Sequence, residues 1–311
     1  MALLINVGHD GWMRDDEIAE IICAYAPALD VRSLAEPGDL GEVTMLAVSR
    51  LDSELPQRLP NLRLVQKLGA GVETIVRHPA LPDHVRVTRL KPEAPAREIA
   101  EWFLTYILNV QRQGDRYRRQ QAQADWSPVA PRVTADTQVG ILGLGHIGGY
   151  TARLLDQLGF QVHGWSRSPK SLPGVTCHHG YDALPALLGR CDHVCAILPS
   201  TPETAGLIDA PMLAAMKPGS QLLNAGRGDL IDEGALLHAL DAGIPDHAVL
   251  DVVNQEPLPA DSPLWSHPKV TLTPHVSGWH LGDALKDVAE NLRRLSAGEV
   301  LLHEVDRARG Y

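Results

Sequence analysis

The sequence predicts an α/β protein built on parallel sheets in two domains, and two observations carry that prediction. Short apolar segments typical of strands alternate with amphipathic segments of helical period from end to end of the chain. This alternation occurs as two successive series, and a length of 311 residues suggests about two domains. With 44% hydrophobic residues and 21% charged residues, the chain has the composition of an ordinary globular protein with a sizeable core.

The first series occupies roughly the first third of the chain. Its strand-like segments are "ALLINV", "VTMLAVS", "LRLVQKL" and "VRVTRL", and the amphipathic segment "DDEIAEIICAYA" follows the first of them. Next comes "PAREIAEWFLTYILNVQRQ", in which apolar residues recur at helical spacing, at Ile99, Phe103, Tyr106, Ile107 and Val110. This predicts a helix long enough to bridge two domains. The polar, proline-containing segment "ADWSPVAPRVTAD" after it predicts a loop.

The second series begins at "TQVGILGLG" and has the same alternation. Its further strand-like segments are "GFQVHGWS", "CDHVCAILP", "GSQLLNAG", "DHAVLDVV" and "KVTLTPHV". Helical patterns separate them, in "IGGYTARLLDQL", "APMLAAM" and "DEGALLHALDAG". Ligands of open α/β sheets bind beyond the carboxyl ends of the strands, so the Gly, Pro, Asn and His residues at these strand ends are the places to expect chemistry.

Charge and cysteine content restrict the class of protein. A formal net charge of −10 argues against attraction to nucleic acid or to an anionic membrane, and the densest cationic run, "RQGDRYRRQ", is interpreted as a solvated helix face. The start of the chain lacks the pattern of a signal peptide, and no apolar run is long enough to span a bilayer, which predicts a cytoplasmic protein. The cysteines form no CxxC pair, so buried free thiols are expected rather than disulfides or a metal site; they are Cys23, Cys177, Cys191 and Cys195.

The segment "GLGHIG" predicts a dinucleotide-binding turn. Gly143, Gly145 and Gly148 follow an apolar strand and open a helical pattern, which is the context that this motif requires. The first glycine permits the tight turn, the second lets the backbone approach a pyrophosphate, and the third lets helix and strand pack closely. A glycine-rich turn of some other α/β protein is the alternative, and the second strand "FQVHGW" at the right distance disfavours it.

The end of that second strand departs from the NAD-binding pattern. An acid there would bind the adenosine ribose hydroxyls and repel a 2′-phosphate, but this chain has Ser166, Arg167 and Ser168, with Lys170 just beyond. Arginine with neighbouring hydroxyls can accept a phosphate through charge-assisted hydrogen bonds. The segment therefore favours NADP(H) over NAD(H), and a merely polar strand end at the surface is the alternative.

Three further residues lie just after predicted strands. Arg227 is flanked by Gly226 and Gly228, which leave its guanidinium room to face a carboxylate. His275 can exchange a proton near neutral pH, and a carboxylate such as Glu256 could hold its tautomer and its proton. Each also has an ordinary structural reading, as a loop ion pair, a packed histidine and a turn residue before proline. Sequence spacing alone does not show that the three meet.

Longer motifs resemble those of the D-isomer-specific 2-hydroxyacid dehydrogenase family, and they are most similar to its bacterial glyoxylate/hydroxypyruvate reductase A group. The resemblance covers nearly the whole chain and rests on "LGAGVETI", "GLGHIG", "WSRSPKS.PGV", "LLP.T.ET.GLI", "LLNAGRGDLIDE", "LDVVNQEPLP", "TPHV" and "VDRARGY". It implies two Rossmann-like or flavodoxin-like parallel-sheet domains with an active-site cleft between them. Residues 1–98 and 277–311 would form a discontinuous substrate-binding domain, and residues 99–276 the NAD(P)-binding Rossmann domain.

The resemblance also implies roles for residues. Arg227 would bind the substrate carboxylate and carbonyl, His275 would protonate the carbonyl oxygen, and Glu256 would orient His275 and keep it protonated. The expected substrate-binding residues are Ala70, Gly71 and Val72, through their main-chain N–H groups, together with Trp126 and Trp279. The expected cofactor-binding residues are Gly143, Gly145, His146, Ile147, Gly148, Ser166, Arg167, Ser168, Lys170, Leu198, Pro199, Ala225 and Asp251, the last at the nicotinamide amide.

The reaction that this implies is the NADPH-preferring reduction of small 2-oxo acids, glyoxylate to glycolate and hydroxypyruvate to D-glycerate, with NADH as a possible cofactor. Val253, where phenylalanine is usual, and "SGW" at 277–279 leave the substrate range open. Formate, phosphite, phosphoglycerate or a bulkier 2-keto acid are alternative substrates, and a nucleotide-sensing binding protein of the same fold is an alternative class.

A homodimer is expected from the same resemblance. Related reductases extend a loop with an aromatic residue across a dimer interface into the neighbouring active site, and Trp126 occupies a similar place in this chain. A hydrophobic anchor within its own subunit is the alternative reading of Trp126.

Overall fold

The computed structural model describes residues 1–8, 12–51, 54–91 and 93–307. The chain forms two compact units, here called unit 1, Met1–Ala94 with His280–Tyr311, and unit 2, Pro95–Trp279. The division resembles the expected one at 98/99 and 276/277, while the assignment of a ligand to each domain stays a prediction. Residues 308–311 of the terminal motif "VDRARGY" lie outside the described residues.

Unit 1 is organised on a five-stranded sheet in which every neighbouring pair is parallel. Its strands are β1 (Ala2–Asn6), β2 (Asp30–Ser33), β3 (Val43–Val48), β4 (Leu64–Lys67) and β5 (Arg86–Thr88), in the order β2-β1-β3-β4-β5. Its helices are α1 (Asp15–Tyr25), α2 (Glu73–Val76) and, near the carboxyl end of the chain, α9 (Leu285–Ala297). β1 and β3 are buried along their whole length, as expected for central strands of a parallel sheet covered on both faces.

Unit 2 contains a seven-stranded parallel sheet. Its strands are β6 (Gln138–Leu142), β7 (Gln161–Ser166), β8 (Val175–His179), β9 (His193–Ala196), β10 (Gln221–Asn224), β11 (His247–Leu250) and β12 (Val270–Leu272). The order is β12-β11-β10-β9-β6-β7-β8, so the strand order reverses beside β6, and an open sheet binds its ligand at such a reversal.

Helices of unit 2 connect and cover these strands. They are α4 (Gly114–Ala122), α5 (His146–Gln157), α6 (Leu184–Leu188), α7 (Ala210–Ala214) and α8 (Glu233–Ala242). A further helix, α3 (Glu93–Gln111), begins at the end of the first segment of unit 1 and has most of its length in unit 2. Two hydrophobic clusters cover the two faces of the sheet; Trp165 and Leu222 belong to one, and Phe103 and Val249 to the other.

The predicted fold class is confirmed: in both sheets, the pairs of strands given above for the described residues are parallel. The sequence reading did not include β2 and β8, both at sheet edges, where part-exposed polar residues replace the apolar run of a central strand. The four cysteines are free thiols; Cys191 and Cys195 are buried, and Cys23 and Cys177 are half-buried. None of the helices in the described ranges has both the length and the apolar character that crossing a bilayer requires.

Candidate active site

The glycine motif forms the turn between β6 and α5. Gly143 has φ 108°, in the region that glycine adopts readily, and a Cβ placed there would lie 2.9 Å from the Ile197 carbonyl oxygen. A Cβ at Gly148 would lie 1.8 Å from the carbonyl oxygen of Gly143. Both positions therefore require glycine for reasons internal to the protein, as the motif predicts.

Gly145 differs from the other two glycines. Its φ of −77° suits any residue, and no heavy atom of the described chain lies within 4 Å of a Cβ built there. It is the N-cap of α5, and the N–H groups of His146, Ile147 and Gly148 occupy the first turn, where a helix has no acceptors of its own. Open space in front of a helix N-terminus fits a dinucleotide pyrophosphate.

The segment after β7 is joined to this turn by a lysine. Lys170 donates a hydrogen bond from Nζ to the carbonyl oxygen of Leu144, inside the glycine motif, at 2.6 Å. Ser166, at the end of β7, is 7% exposed and its hydroxyl donates to the Ser168 carbonyl at 2.8 Å, while Arg167 and Ser168 are exposed. Hydroxyl and cationic groups therefore lie beside the glycine turn, without an acid at the strand end.

The register of the sheet explains why residues far apart in sequence share one edge. Leu142 is paired with Ala196, Ala196 with Asn224, Asn224 with Leu250, and Leu250 with Leu272. All these strands are parallel, so the residues that follow them leave the sheet at the same edge. The glycine turn, Arg227, Asp251 and His275 all lie a few residues beyond these paired positions.

Arg227 is held by a turn that Asn224 supports. Asn224 is fully buried, its side-chain amide donates to the Arg227 carbonyl at 2.8 Å, and its side-chain oxygen accepts from the Gly226 N–H at 3.0 Å. The Arg227 guanidinium donates from Nη1 to the Gly226 carbonyl at 2.6 Å. A Cβ at Gly228 would lie 2.0 Å from the Val253 carbonyl carbon, so this glycine allows the close approach of two backbones. Sequence reasoning did not identify Asn224.

The structure brings His275 and Glu256 together. Nδ1 of His275 lies 2.8 Å from Oε2 of Glu256, and the two side chains are 52% and 33% exposed. Partial burial by itself raises the pKa of the Glu256 carboxyl. The hydrogen bond and charge of His275, the Val253 N–H and the charge of Arg227 outweigh this and lower the pKa below its ordinary value. The ionised carboxylate of Glu256 accepts a hydrogen bond from the Nδ1–H of His275, which leaves Nε2 as the nitrogen that can exchange a proton.

Asp251, directly after β11, is 2% exposed and accepts hydrogen bonds from the segment that carries His275. Its Oδ1 accepts from the Val276 N–H at 2.9 Å and its Oδ2 from the Ser277 N–H at 3.0 Å, while its main-chain carbonyl accepts from the His275 N–H at 2.8 Å. The contact with a nicotinamide amide that the family resemblance implies stays a prediction, and Asp251 also has this structural task.

Other expected cofactor contacts lie in the loops after β9 and β10. Leu198 and Ala225 are buried, and Pro199 is exposed with its carbonyl accepting from the Thr204 hydroxyl at 2.6 Å. A Cβ at Gly226 would lie 2.8 Å from the Leu198 carbonyl oxygen, so these two loops pack backbone against backbone. Their assignment to cofactor binding stays a prediction.

The aromatic candidates differ in their surroundings. Trp126 is 97% exposed, in the irregular segment between α4 and β6, so it does not anchor that loop within its own chain. Trp279 is 37% exposed, and its main-chain N–H donates to the Glu98 carboxylate at 2.6 Å. A Cβ at the preceding Gly278 would lie 3.0 Å from Ile99, so α3 determines the path of the backbone here.

In unit 1, the loop Ala70 to Val72 lies between β4 and α2. The Gly69 carbonyl accepts from the Leu90 N–H at 2.9 Å, and Arg89 donates to the Ala70 carbonyl at 3.4 Å. Within the part of the chain that the structure describes, the N–H groups of Ala70, Gly71 and Val72 have no acceptor. Burial lowers the pKa of Arg89, and the nearby Glu73 opposes that shift. A loop with three available N–H groups suits an anion.

Comparisons with known proteins point to one enzyme family. Residues 104–277 match the model of the D-isomer specific 2-hydroxyacid dehydrogenase, NAD binding domain. A D-isomer specific 2-hydroxyacid dehydrogenase from Xanthobacter autotrophicus Py2, solved in complex with NADPH and MES, is 40% identical with a TM-score of 0.93, covering 100% of this chain and 99% of that chain.

A second solved structure is the NADPH-dependent glyoxylate/hydroxypyruvate reductase of Sinorhizobium meliloti in complex with NADP and sulfate. It is 32% identical with a TM-score of 0.91, over 100% of this chain and 99% of that chain. A third, a probable 2-hydroxyacid dehydrogenase from Rhizobium etli in complex with NADP, HEPES and L(+)-tartaric acid, is 29% identical with a TM-score of 0.87, over 100% and 99%. The chain therefore belongs to the D-isomer specific 2-hydroxyacid dehydrogenase family of NAD(P)-dependent oxidoreductases.

Proposed function

We propose that this enzyme reduces small 2-oxo acids, with glyoxylate and hydroxypyruvate as substrates and NADPH as the preferred cofactor. The observation that carries the proposal is the His275–Glu256 pair at 2.8 Å, at the sheet edge that also bears Arg227 and the glycine turn. The glyoxylate/hydroxypyruvate reductase of Sinorhizobium meliloti, 32% identical over the whole chain, supports this choice of substrates.

The cofactor is held by the glycine turn and by Ser166, Arg167, Ser168 and Lys170. Absence of an acid at the end of β7 removes the group that would repel a 2′-phosphate, and Lys170 already contacts the glycine turn. When bound, NADPH supplies the hydride that reduces C2 of the substrate.

The chain's own residues divide the remaining chemistry. His275 gives the proton on Nε2 to the forming alkoxide. Its Nδ1 keeps its own proton and stays hydrogen-bonded to the ionised Glu256, which holds the ring in that tautomer. Arg227 carries the positive charge that stabilises the carboxylate and the developing oxyanion. In unit 1, the N–H groups of Ala70, Gly71 and Val72 hold a substrate carboxylate.

The test is an initial-rate panel of 2-oxo acids with NADPH and with NADH, for the wild type and for His275→Gln. We expect turnover of glyoxylate and hydroxypyruvate with NADPH. His275→Gln should lower kcat by roughly two to four decades, the range for loss of a general acid. Its affinity for NADPH, measured by quenching of protein fluorescence, should be unchanged. An enzyme that binds NADPH but reduces no 2-oxo acid would instead support a nucleotide-sensing role.

A homodimer forms the second part of the proposal. Trp126 is 97% exposed, and a large aromatic side chain in that state suits a protein interface. The loop is then expected to meet a second copy of this chain and bring Trp126 to the substrate of that copy. Trp279 is the corresponding candidate within the same chain. The cytoplasmic location stays a prediction.

A further inference from the structure

The backbone at His275 has a conformation that histidine seldom adopts. Its φ is 55°, in the left-handed region that glycine favours, and β12 ends three residues earlier at Leu272. A non-glycine residue remains there only where its surroundings determine the backbone, and such residues cluster at functional sites. The question for this residue is which contacts hold it.

Three consecutive N–H groups converge on Asp251. The N–H of His275 donates to the main-chain carbonyl of Asp251, and the N–H groups of Val276 and Ser277 donate to its two carboxylate oxygens. The two successive N–H groups of Val276 and Ser277 point to the carboxylate, which is the arrangement of an anion-binding nest, and the anion stabilises the turn. The buried carboxylate therefore acts as the template on which the left-handed turn forms.

The carboxylate is in turn oriented by a hydroxyl. Oγ1 of Thr273 donates to Oδ1 of Asp251 at 2.5 Å, and Nε1 of Trp102 lies 3.1 Å from the same Oγ1. An indole N–H can only donate, so the hydroxyl must accept from Trp102, and its single hydrogen is left for Asp251. The hydrogen bonds therefore run in one direction, from Trp102 to Thr273 and from Thr273 to Asp251.

Trp102 is itself held in place by neighbouring rings of α3. Its ring centroid lies 5.3 Å from that of Phe103 and 5.0 Å from that of Tyr106, both in edge-to-face arrangements. Phe103 is fully buried in the core of unit 2. Trp102 is therefore fixed against a fully buried ring of the core, with its indole N–H hydrogen-bonded to Thr273.

We propose that Trp102 and Thr273 are positioning residues, which act through Asp251 to hold His275 in its left-handed conformation against Glu256. The proposal rests on the proposed role of His275 as the proton donor. Neither residue needs to touch substrate or cofactor. A small displacement of a proton donor is sufficient to slow a reaction, because general-acid catalysis depends on hydrogen-bond geometry at the reacting atom.

The decisive variant is Thr273→Val, which removes the hydroxyl and keeps the shape of the side chain. We expect kcat with glyoxylate and NADPH to fall by about tenfold or more, with both KM values within about twofold. Thr273→Ser should restore most of the rate, and Trp102→Phe should cause a smaller loss. Thr271→Val is the matched control, because Thr271 lies two residues earlier, in β12, and its hydroxyl pairs instead with His247 at 3.0 Å.

A double-mutant cycle distinguishes a role of Thr273 that acts through His275 from a general structural role. If Thr273 acts through His275, adding Thr273→Val to His275→Gln should lower the residual rate by less than about twofold. Multiplicative losses, an unchanged kcat in Thr273→Val, or failure of Thr273→Ser to restore the rate would each overturn the proposal.

An NMR readout separates this proposal from the proposed function. In protein labelled with ¹⁵N-histidine, with His275→Gln used for assignment, the ring signals of His275 should shift in Thr273→Val and not in Thr271→Val. If the wild type reduces no 2-oxo acid, the proposed function fails, and the NMR comparison still decides whether Thr273 positions His275. Unshifted His275 signals in Thr273→Val would show that it does not.

Discussion

Arg167 is the residue whose removal most directly tests cofactor preference. Arg167→Ala should raise KM for NADPH by about tenfold or more, because a charge-assisted contact with the 2′-phosphate is lost, while KM for NADH stays within about twofold. The measurement is KM for each cofactor at saturating glyoxylate. Arg118→Ala is the control, since Arg118 is 78% exposed on α4 and paired with Asp115. Equal losses for both cofactors would contradict a 2′-phosphate site.

At the residue scale, the sequence identified the candidate groups but not their partners. His275 and Glu256 are 19 residues apart, and only the structure shows their 2.8 Å contact. Asn224 and Thr273 were not singled out, although each lies within three residues of a predicted site residue. Small polar residues are common in such turns, so their type alone does not distinguish a support from an ordinary loop residue.

At the scale of elements, the turn between β6 and α5 provides a matched pair of glycines. Gly148→Ala places a Cβ 1.8 Å from a carbonyl oxygen, so we expect a loss of about 1–3 kcal/mol in the free energy of unfolding, or more if helix and strand must separate. Gly145→Ala meets nothing within 4 Å and should leave the melting temperature unchanged while raising KM for NADPH. Thermal unfolding and cofactor kinetics on both variants test this. A Gly145→Ala enzyme with wild-type NADPH kinetics would contradict the pyrophosphate assignment.

Prediction of the elements depended on how much apolar surface each buries. Central strands such as β3 and β9 are fully buried and were visible as apolar runs. The edge strands β2 and β8 carry polar, part-exposed residues, and hydrogen bonding to one neighbour makes them strands. That pairing is a property of the sheet and leaves little trace in a short sequence.

For the molecule as a whole, a buried histidine predicts how stability depends on pH. His193 is fully buried; burial lowers its pKa from 6.5 to about 4, against the opposing hydrogen bond from Nδ1 to Gln221. Its Nε2 is buried with no partner in the described residues, so a proton there would have no acceptor. The unfolded chain therefore binds this proton at a higher pH than the folded chain does.

Protonation of His193 therefore favours the unfolded chain, and the free energy of unfolding falls as the pH is lowered. The stability of unit 2 should be fully present above about pH 6.5 and decline as the pH falls towards 4, by roughly 3 kcal/mol from this residue. His193→Gln should flatten the decline, measured by urea unfolding at several pH values. His179→Gln, at an exposed histidine, is the control and should leave the pH dependence unchanged. A His193→Gln protein with the wild-type slope would contradict this assignment.

Self-association is the other prediction for the whole molecule. Trp126→Ala should weaken or abolish the dimer, because a side chain that is 97% exposed in one chain has its apolar surface to bury against another. Light scattering after size-exclusion chromatography measures the mass as one chain or two. Leu158→Ala, at another exposed apolar residue, is the control and should not change the mass. A wild type that is a monomer at micromolar concentration would contradict the dimer.

The sequence by itself determined what depends on neighbours along the chain. Apolar periodicity indicated the helices and central strands, and the order strand, glycine turn, helix predicted a dinucleotide-binding domain, which the family confirms. The tertiary structure alone decided which distant groups meet. Trp102 and Thr273 are 171 residues apart and are joined by one hydrogen bond, and the left-handed turn at His275 is hydrogen-bonded to a carboxylate that follows another strand. The physical reason is that strand order and register determine these contacts, and they emerge only when the whole sheet has formed.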